Sequence, residues 1–158
     1  MPSSTRSALA THRSRGFDCL CGNMRMGVRA ITTLYDGYLA PSGLTAAELS
    51  VLWCVISAQP VSMQQIAEFL AMEKSTVTRN VAHLLSRSLV KVAAGRDARM
   101  KQVCVTRAGE DAFLRALPLW KAAQKAATRA LGGPRFRSLV SGSLHLARAP
   151  VARRASRC

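Results

Sequence analysis

The chain has 158 residues, 49% of them hydrophobic but only 5% aromatic, and its 23 Lys and Arg against 8 Asp and Glu give a formal charge of +15. That apolar content excludes a disordered chain, and the length fits one helical domain with tails, packed mainly by Ala, Leu and Val. The longest apolar run, residues 49–58, is interrupted by Ser50 and Ser57 and is about half the roughly 20 residues that a membrane span needs, so no membrane partner is expected.

In chain order, residues 1–17 carry Arg6, Arg13 and Arg15 and no acid, and read as a disordered basic tail. No apolar segment follows Met1, which argues against a secretory signal, although a Ser-, Thr- and Arg-rich lead would also suit an organellar transit peptide. The domain proper is expected over residues 18–148, with a DNA-binding lobe at about 44–106, and residues 149–158 read as a second basic tail. From residue 19 to residue 39, Leu20, Met24, Val28, Ile31, Leu34, Tyr35 and Tyr38 recur at helical spacing. Ala40-Pro41-Ser42-Gly43 ends that helix.

Two capping boxes follow. In Thr45-Ala46-Ala47-Glu48 the threonine oxygen can take the backbone N–H three residues on, while Glu48 reaches back, and Leu44 with Leu49 forms the hydrophobic staple. Ser62-Met63-Gln64-Gln65, flanked by Val61 and Ile66, repeats the device. The second helix so begun should stop at Ala71-Met72-Glu73, and another should run from Lys74 to Arg87. Two short helices joined by a tight turn, with the small Ala67 allowing a close crossing, read as a helix-turn-helix.

The second of these helices is two-faced. At about 100° per residue, Val77, Val81, Leu84 and Leu85 share an apolar stripe. Ser75, Thr76, Arg79, His83 and Ser86 fall opposite, with Thr78 and Asn80 at the margins. That outer face has no acid, and residues 74–101 hold seven basic residues against Asp97 alone. A basic block inside folded sequence points to a polyanion partner.

Leu89-Val90-Lys91-Val92 and Gln102-Val103-Cys104-Val105 alternate like strands around a basic loop, so a β-hairpin is expected. Thr106 should cap a long helix to about Leu131, kinked by Pro118. Gly132-Gly133-Pro134 should break it before a last helix carrying Phe136, Leu139, Val140 and Leu144.

A helix-turn-helix followed by a basic hairpin is a winged helix, mainly α with a small β-hairpin wing. Its second helix enters the major groove, where an arginine can pair with guanine O6 and N7. Arg79 is the candidate for that contact, with a phosphate contact as its alternative. Ser75, Thr76 and Thr78 are placed for phosphates or base edges, and Asn80 and His83 complete the candidate DNA face. In the wing, Arg96, Arg99 and Lys101 can reach an adjacent minor groove, with Asp97 holding a neighbouring arginine.

Leu44-Thr45-Ala46-Ala47-Glu48, Ser75-Thr76-Val77-Thr78-Arg79, the wing pattern Asp97-x-Arg99, then Val105-Thr106-x-x-Gly109, and Leu117-Pro118-Leu119-Trp120 together resemble the MarR (multiple antibiotic resistance regulator) family of winged-helix transcription factors. The resemblance spans about residues 19–146. It implies a homodimer formed by the N- and C-terminal helices, bound to a pseudo-palindromic double-stranded DNA operator and acting most often as a repressor in a bacterial or archaeal cytosol, on the nucleoid. It also implies a small aromatic or anionic inducer that releases DNA, for which Arg25, Tyr35 and Trp53 are candidate pocket residues. By the family pattern Arg99 is the minor-groove arginine and Asp97 its support. The basic C-terminus departs from the pattern.

Oxidant or soft-metal sensing is the other implied mode. The five cysteines, Cys19, Cys21, Cys54, Cys104 and Cys158, are odd in number and include no CxxC pair, so neither a disulfide framework nor structural zinc is expected. Cys19 and Cys21 are the redox candidates; two apart on a helix, they would diverge by about 200° and could not clamp one metal together. Cys54 and Cys104 read as packing residues. A non-specific architectural nucleic-acid binder is the alternative function. An enzyme is not expected, because no histidine sits in a nucleophile motif, no glycine loop cradles phosphate and acids are too sparse for a carboxylate pair. No cofactor is implied.

Overall fold

The computed structural model of the chain describes residues 18–94 and 101–149. The expected tail at 1–17, the expected tail at 149–158 apart from Ala149, and the wing residues Arg96, Asp97 and Arg99 lie outside the described residues. The elements run α1 (Leu20–Leu39), a 3-10 turn (Ala40–Ser42), α2 (Ala46–Ala58), β1 (Val61–Ser62), α3 (Met63–Leu70), α4 (Lys74–Ser86), β2 (Val90–Ala94), β3 (Lys101–Val105), α5 (Arg107–Leu131) and α6 (Gly133–Arg148). The chain divides into two compact units after Leu34.

In the first unit α1 exposes Leu20, Met26 and Val28. Cys19 stands before the helix and not within it: its Sγ accepts the Gly22 N–H at 3.5 Å, as a cap does. The expected 200° divergence on one helix therefore does not describe this pair.

The second unit, from Tyr35 onward, is built around α2. Leu49, Val51, Leu52, Cys54 and Val55 are all buried, so this helix is enclosed on most sides, as a central core helix must be. Both capping boxes form. Thr45 Oγ1 accepts the Glu48 N–H at 3.2 Å and Glu48 Oε2 accepts the Thr45 N–H at 2.9 Å. Ser62 Oγ and Gln65 Oε1 make the same exchange at 3.2 and 2.9 Å. The staple residues Leu44, Leu49, Val61 and Ile66 are buried beneath them. Asp36, in the last turn of α1, adds a third acceptor, its Oδ1 taking the Ala46 N–H at 2.7 Å.

Between α3 and α4 the chain turns at Ala71, which holds a left-handed φ of 50° and donates its N–H back to the Ala67 and Glu68 carbonyls. The α4 stripe buries Val77, Val81 and Leu84, while Leu85, expected in the core, sits at its edge and stays 36% exposed. Beyond α4 the sheet has three antiparallel strands in the order β1-β3-β2. β2 pairs with β3 from Val90↔Val105 to Ala94↔Lys101, forming the expected hairpin. β1 adds Val61↔Val103, which the sequence does not announce.

Thr106 caps α5 through the Gly109 N–H at 3.1 Å, and Pro118 is accommodated within one continuous helix. Gly132, at φ 77°, separates α5 from α6. α6 leaves the apolar side chains of Leu139, Val140, Leu144 and Leu146 exposed among the described residues. No single helix among the described residues is long and apolar enough to cross a membrane.

Candidate nucleic-acid interface

The core fixes which side of α4 faces outward. With Val77, Val81 and Leu84 anchored in the core, Ser75, Thr76, Thr78, Arg79 and His83 are all exposed, and Asn80 is half-buried at the margin. Glu73 precedes the helix without a side-chain cap, so the first-turn amides of α4 have no side-chain acceptor from it. The amides and the helix dipole at that end suit phosphate oxygens. The Thr78 hydroxyl donates to the Lys74 carbonyl at 2.8 Å, so its proton is engaged within the helix and its lone pairs stay open.

His83 is less free than its position on the outer face suggests. Its Nδ1 lies 3.4 Å from Oε1 of Glu48, whose side chain is only 9% exposed. One turn further on, Arg87 Nη1 donates to the carbonyl of Gly43. Neither tie is signalled locally, because 35 residues separate Glu48 from His83 and 44 separate Gly43 from Arg87. Lys101 begins β3, exposed, opposite Ala94 at the end of the described hairpin.

Beside the first half of α2 lies a cavity of about 100 Å³ lined by Tyr35, Leu39, Ala46, Leu49, Ser50, Trp53 and Trp120. Tyr35 and Trp53, two of the three expected pocket residues, are in its wall. Arg25 stands exposed on the N-terminal unit instead. Trp53 packs edge-on against Trp120 at 5.6 Å and Phe113 at 5.7 Å between ring centres, a geometry aromatic quadrupoles favour. Phe113 and Trp120 are seven apart, two turns along one face of α5, which is the sequence signal that could have placed Trp120 here. Burial pushes the Tyr35 phenol above its ordinary pKa, keeping it neutral. Among the seven lining residues none is charged.

Cys19 and Cys21 are exposed free thiols, while Cys54 is buried and Cys104 half-buried. Among the described residues no group of three or more His, Cys, Asp or Glu is arranged to hold a metal ion.

A family model described as the MarR family matches residues 42–100. The HTH-type transcriptional regulator YwoH of Bacillus subtilis (strain 168) is 30% identical over 94 residues, covering 60% of this chain and 69% of YwoH. The M. tuberculosis transcriptional regulator MosR, crystallised in complex with DNA, is 33% identical with a TM-score of 0.74, covering 89% of this chain and 100% of that one. Bordetella bronchiseptica BpsR, whose DNA binding is regulated by 6-hydroxynicotinic acid, has a TM-score of 0.76 at 19% identity, covering 85% of this chain and 97% of its own, a likeness of fold. With the family model, the identity to YwoH and the fold shared with DNA-bound MosR all in agreement, this chain belongs to the MarR family: it is a winged helix-turn-helix transcriptional regulator that binds DNA, and not an enzyme.

Proposed function

We propose that the protein is a sequence-specific, homodimeric repressor in the bacterial cytosol, released from a pseudo-palindromic operator by a small aromatic ligand. The observation that carries this reading is the outer face of α4, exposed, free of acids and fixed outward by Val77, Val81 and Leu84. Placed in a major groove, Arg79 pairs with a guanine, Ser75 and Thr76 hold phosphates, and Thr78 and Asn80 face base edges. From the sequence of the wing, we assign Arg96, Arg99 and Lys101 to the neighbouring minor groove and Asp97 to bracing an arginine; Arg96, Asp97 and Arg99 lie outside the described residues. The domain responsible spans residues 18–148, its DNA-binding lobe about 44–106.

Dimerisation is supported by the exposed apolar residues of α6, Leu139, Val140, Leu144 and Leu146, which a second copy would cover. Ligand control is supported by the cavity beneath Trp53 and by BpsR, a protein of the same fold whose DNA binding responds to a single-ring acid. The test is a duplex selected by the wild-type protein from a random-sequence pool. Arg79→Ala should bind it at least tenfold more weakly and with relaxed sequence preference. Undiminished binding would remove α4 from the interface.

A second mode of release has its own observation, the exposure of both Cys19 and Cys21 as free thiols. Peroxide should then release the selected duplex from wild type but not from the Cys19→Ser, Cys21→Ser double variant. Equal release from both would sink the redox mode.

A further inference from the structure

We infer that His83 and Arg87 are positioning residues, two tethers that set the angle of the DNA-reading helix against the corner formed by the end of α1 and the start of α2. The inference rests on the reading of α4 as the DNA-contacting helix and goes beyond it. His83 and Arg87 are four apart, so they project from one side of α4. Both reach the same six-residue corner: His83 meets Glu48 at 3.4 Å and Arg87 donates to the Gly43 carbonyl. Neither side chain is directed wholly at an outside partner.

The Glu48 carboxylate explains why the first tether matters. It is nearly buried, and one oxygen is taken by the Thr45 N–H. A buried carboxylate needs a counter-group for its remaining oxygen, and His83 is the group that faces it. The second tether depends on the corner having no side chain at Gly43. A Cβ there would stand 3.0 Å from Arg87 Nη2, and Gly43 holds φ 70°, a conformation open to glycine.

The corner is also a wall of the cavity. Tyr35 and Leu39 flank Asp36, whose Oδ1 holds the Ala46 amide, and Ala46, Leu49 and Ser50 line the same space. The Asp36–Ala46 bond, the Thr45–Glu48 box and the ties to His83 and Arg87 all fall on the same short stretch of backbone, residues 43–48. A ligand that displaces the Ala46–Leu49 turn therefore displaces the anchor points of α4. Residues that touch no ligand thereby govern the pose of the helix that touches DNA.

Equilibrium binding to the selected duplex over a range of salt, beside thermal melting, tests this. His83→Gln should fold normally, because the residue is exposed, and bind about three- to thirtyfold more weakly. The slope of log affinity against log salt should be unchanged, since no phosphate contact is lost. His83→Arg, which can reach Glu48 again, should restore affinity. Glu48→Gln combined with His83→Gln should be no weaker than either alone, and Arg87→Met should follow the His83→Gln pattern. A salt slope reduced by about one in His83→Gln would make the residue a direct phosphate contact and overturn the inference. Unchanged binding in both tether variants while Arg79→Ala weakens it would overturn it too. Unchanged binding in all three would instead overturn the reading of α4 beneath it.

Discussion

Gly109 of α5 lies directly against the carbonyl of Leu89, so closely that a Cβ on Gly109 would stand 2.0 Å from that oxygen and 2.8 Å from Val105 Cγ2. The same carbonyl accepts the Thr106 N–H at 3.1 Å, while the Thr106 hydroxyl donates mainly to the neighbouring Ser88 carbonyl at 2.7 Å, with Leu89 its longer acceptor at 3.1 Å. The start of the wing and the start of the long helix are thus joined at one atom. Neither the carbonyl nor the strand behind it can retreat without breaking those bonds.

Gly109→Ala should therefore destabilise the fold by on the order of 3 kcal/mol, the cost of forcing a methyl into packed backbone. Chemical denaturation measures it. A loss below about 0.5 kcal/mol would mean that the helix shifts freely against the wing.

The opposite change is expected at Ala71. It is exposed and sits at φ 50°, where an L side chain costs about 1 kcal/mol relative to glycine. Ala71→Gly should raise stability by a few tenths to about 1 kcal/mol, offset in part by the greater freedom glycine gives the unfolded chain. A lower denaturation midpoint would show that the methyl has contacts worth more than the strain.

Both tryptophans of the chain, Trp53 and Trp120, line the cavity, so its occupancy is readable by their fluorescence. The lining offers Tyr35 and Ser50 hydroxyls but no charge, and about 100 Å³ is the scale of a single ring. Phenol should quench at lower concentration than benzoate, and Trp120→Leu should weaken the effect. Tighter binding of benzoate would require a cationic group from outside this lining.

Cysteine reactivity should separate cleanly. Burial raises the pKa of the Cys54 thiol, so at neutral pH it stays protonated and shielded, while Cys19 and Cys21 are exposed. Alkylation of the native protein should label Cys19 and Cys21 first and Cys54 only on unfolding. Because the folded pKa of Cys54 is raised, its stability contribution is complete below the unfolded thiol pKa and is lost as pH climbs through the folded value. Rapid labelling of Cys54 would mean that α2 opens locally.

Much of this was legible in the residues because the deciding contacts are local. Thr45 with Glu48 and Ser62 with Gln65 are four-residue devices complete in themselves, and the α4 stripe follows from period alone. Gly109 was legible as a pattern, although its reason, the Leu89 carbonyl, is tertiary. What escaped depends on distance along the chain. β1 is two residues long and exists only because Val103 offers it a partner. Leu85 lies at the end of the stripe, where the core no longer covers it. His83 and Arg87 carry polar and basic side chains like any DNA contact, and only their partners on the α1–α2 corner distinguish them. The resemblance groups Arg25 with Tyr35 and Trp53, whereas the cavity draws its remaining walls from Leu39 at the end of α1, from α2 and from Trp120 of α5.

The central claim is sequence-specific DNA recognition by α4 and the wing. It is tested most directly by titrating the protein on DNA from upstream of its own coding region beside a random duplex of equal length, at two salt concentrations. The account predicts a preference of roughly 10³-fold or more for a specific site, retained at higher salt while both affinities fall. If the upstream fragment shows no preference, a duplex selected from a random pool takes its place. Equal affinity for selected and random DNA, collapsing together as salt rises, would contradict the account and leave a charge-driven architectural binder.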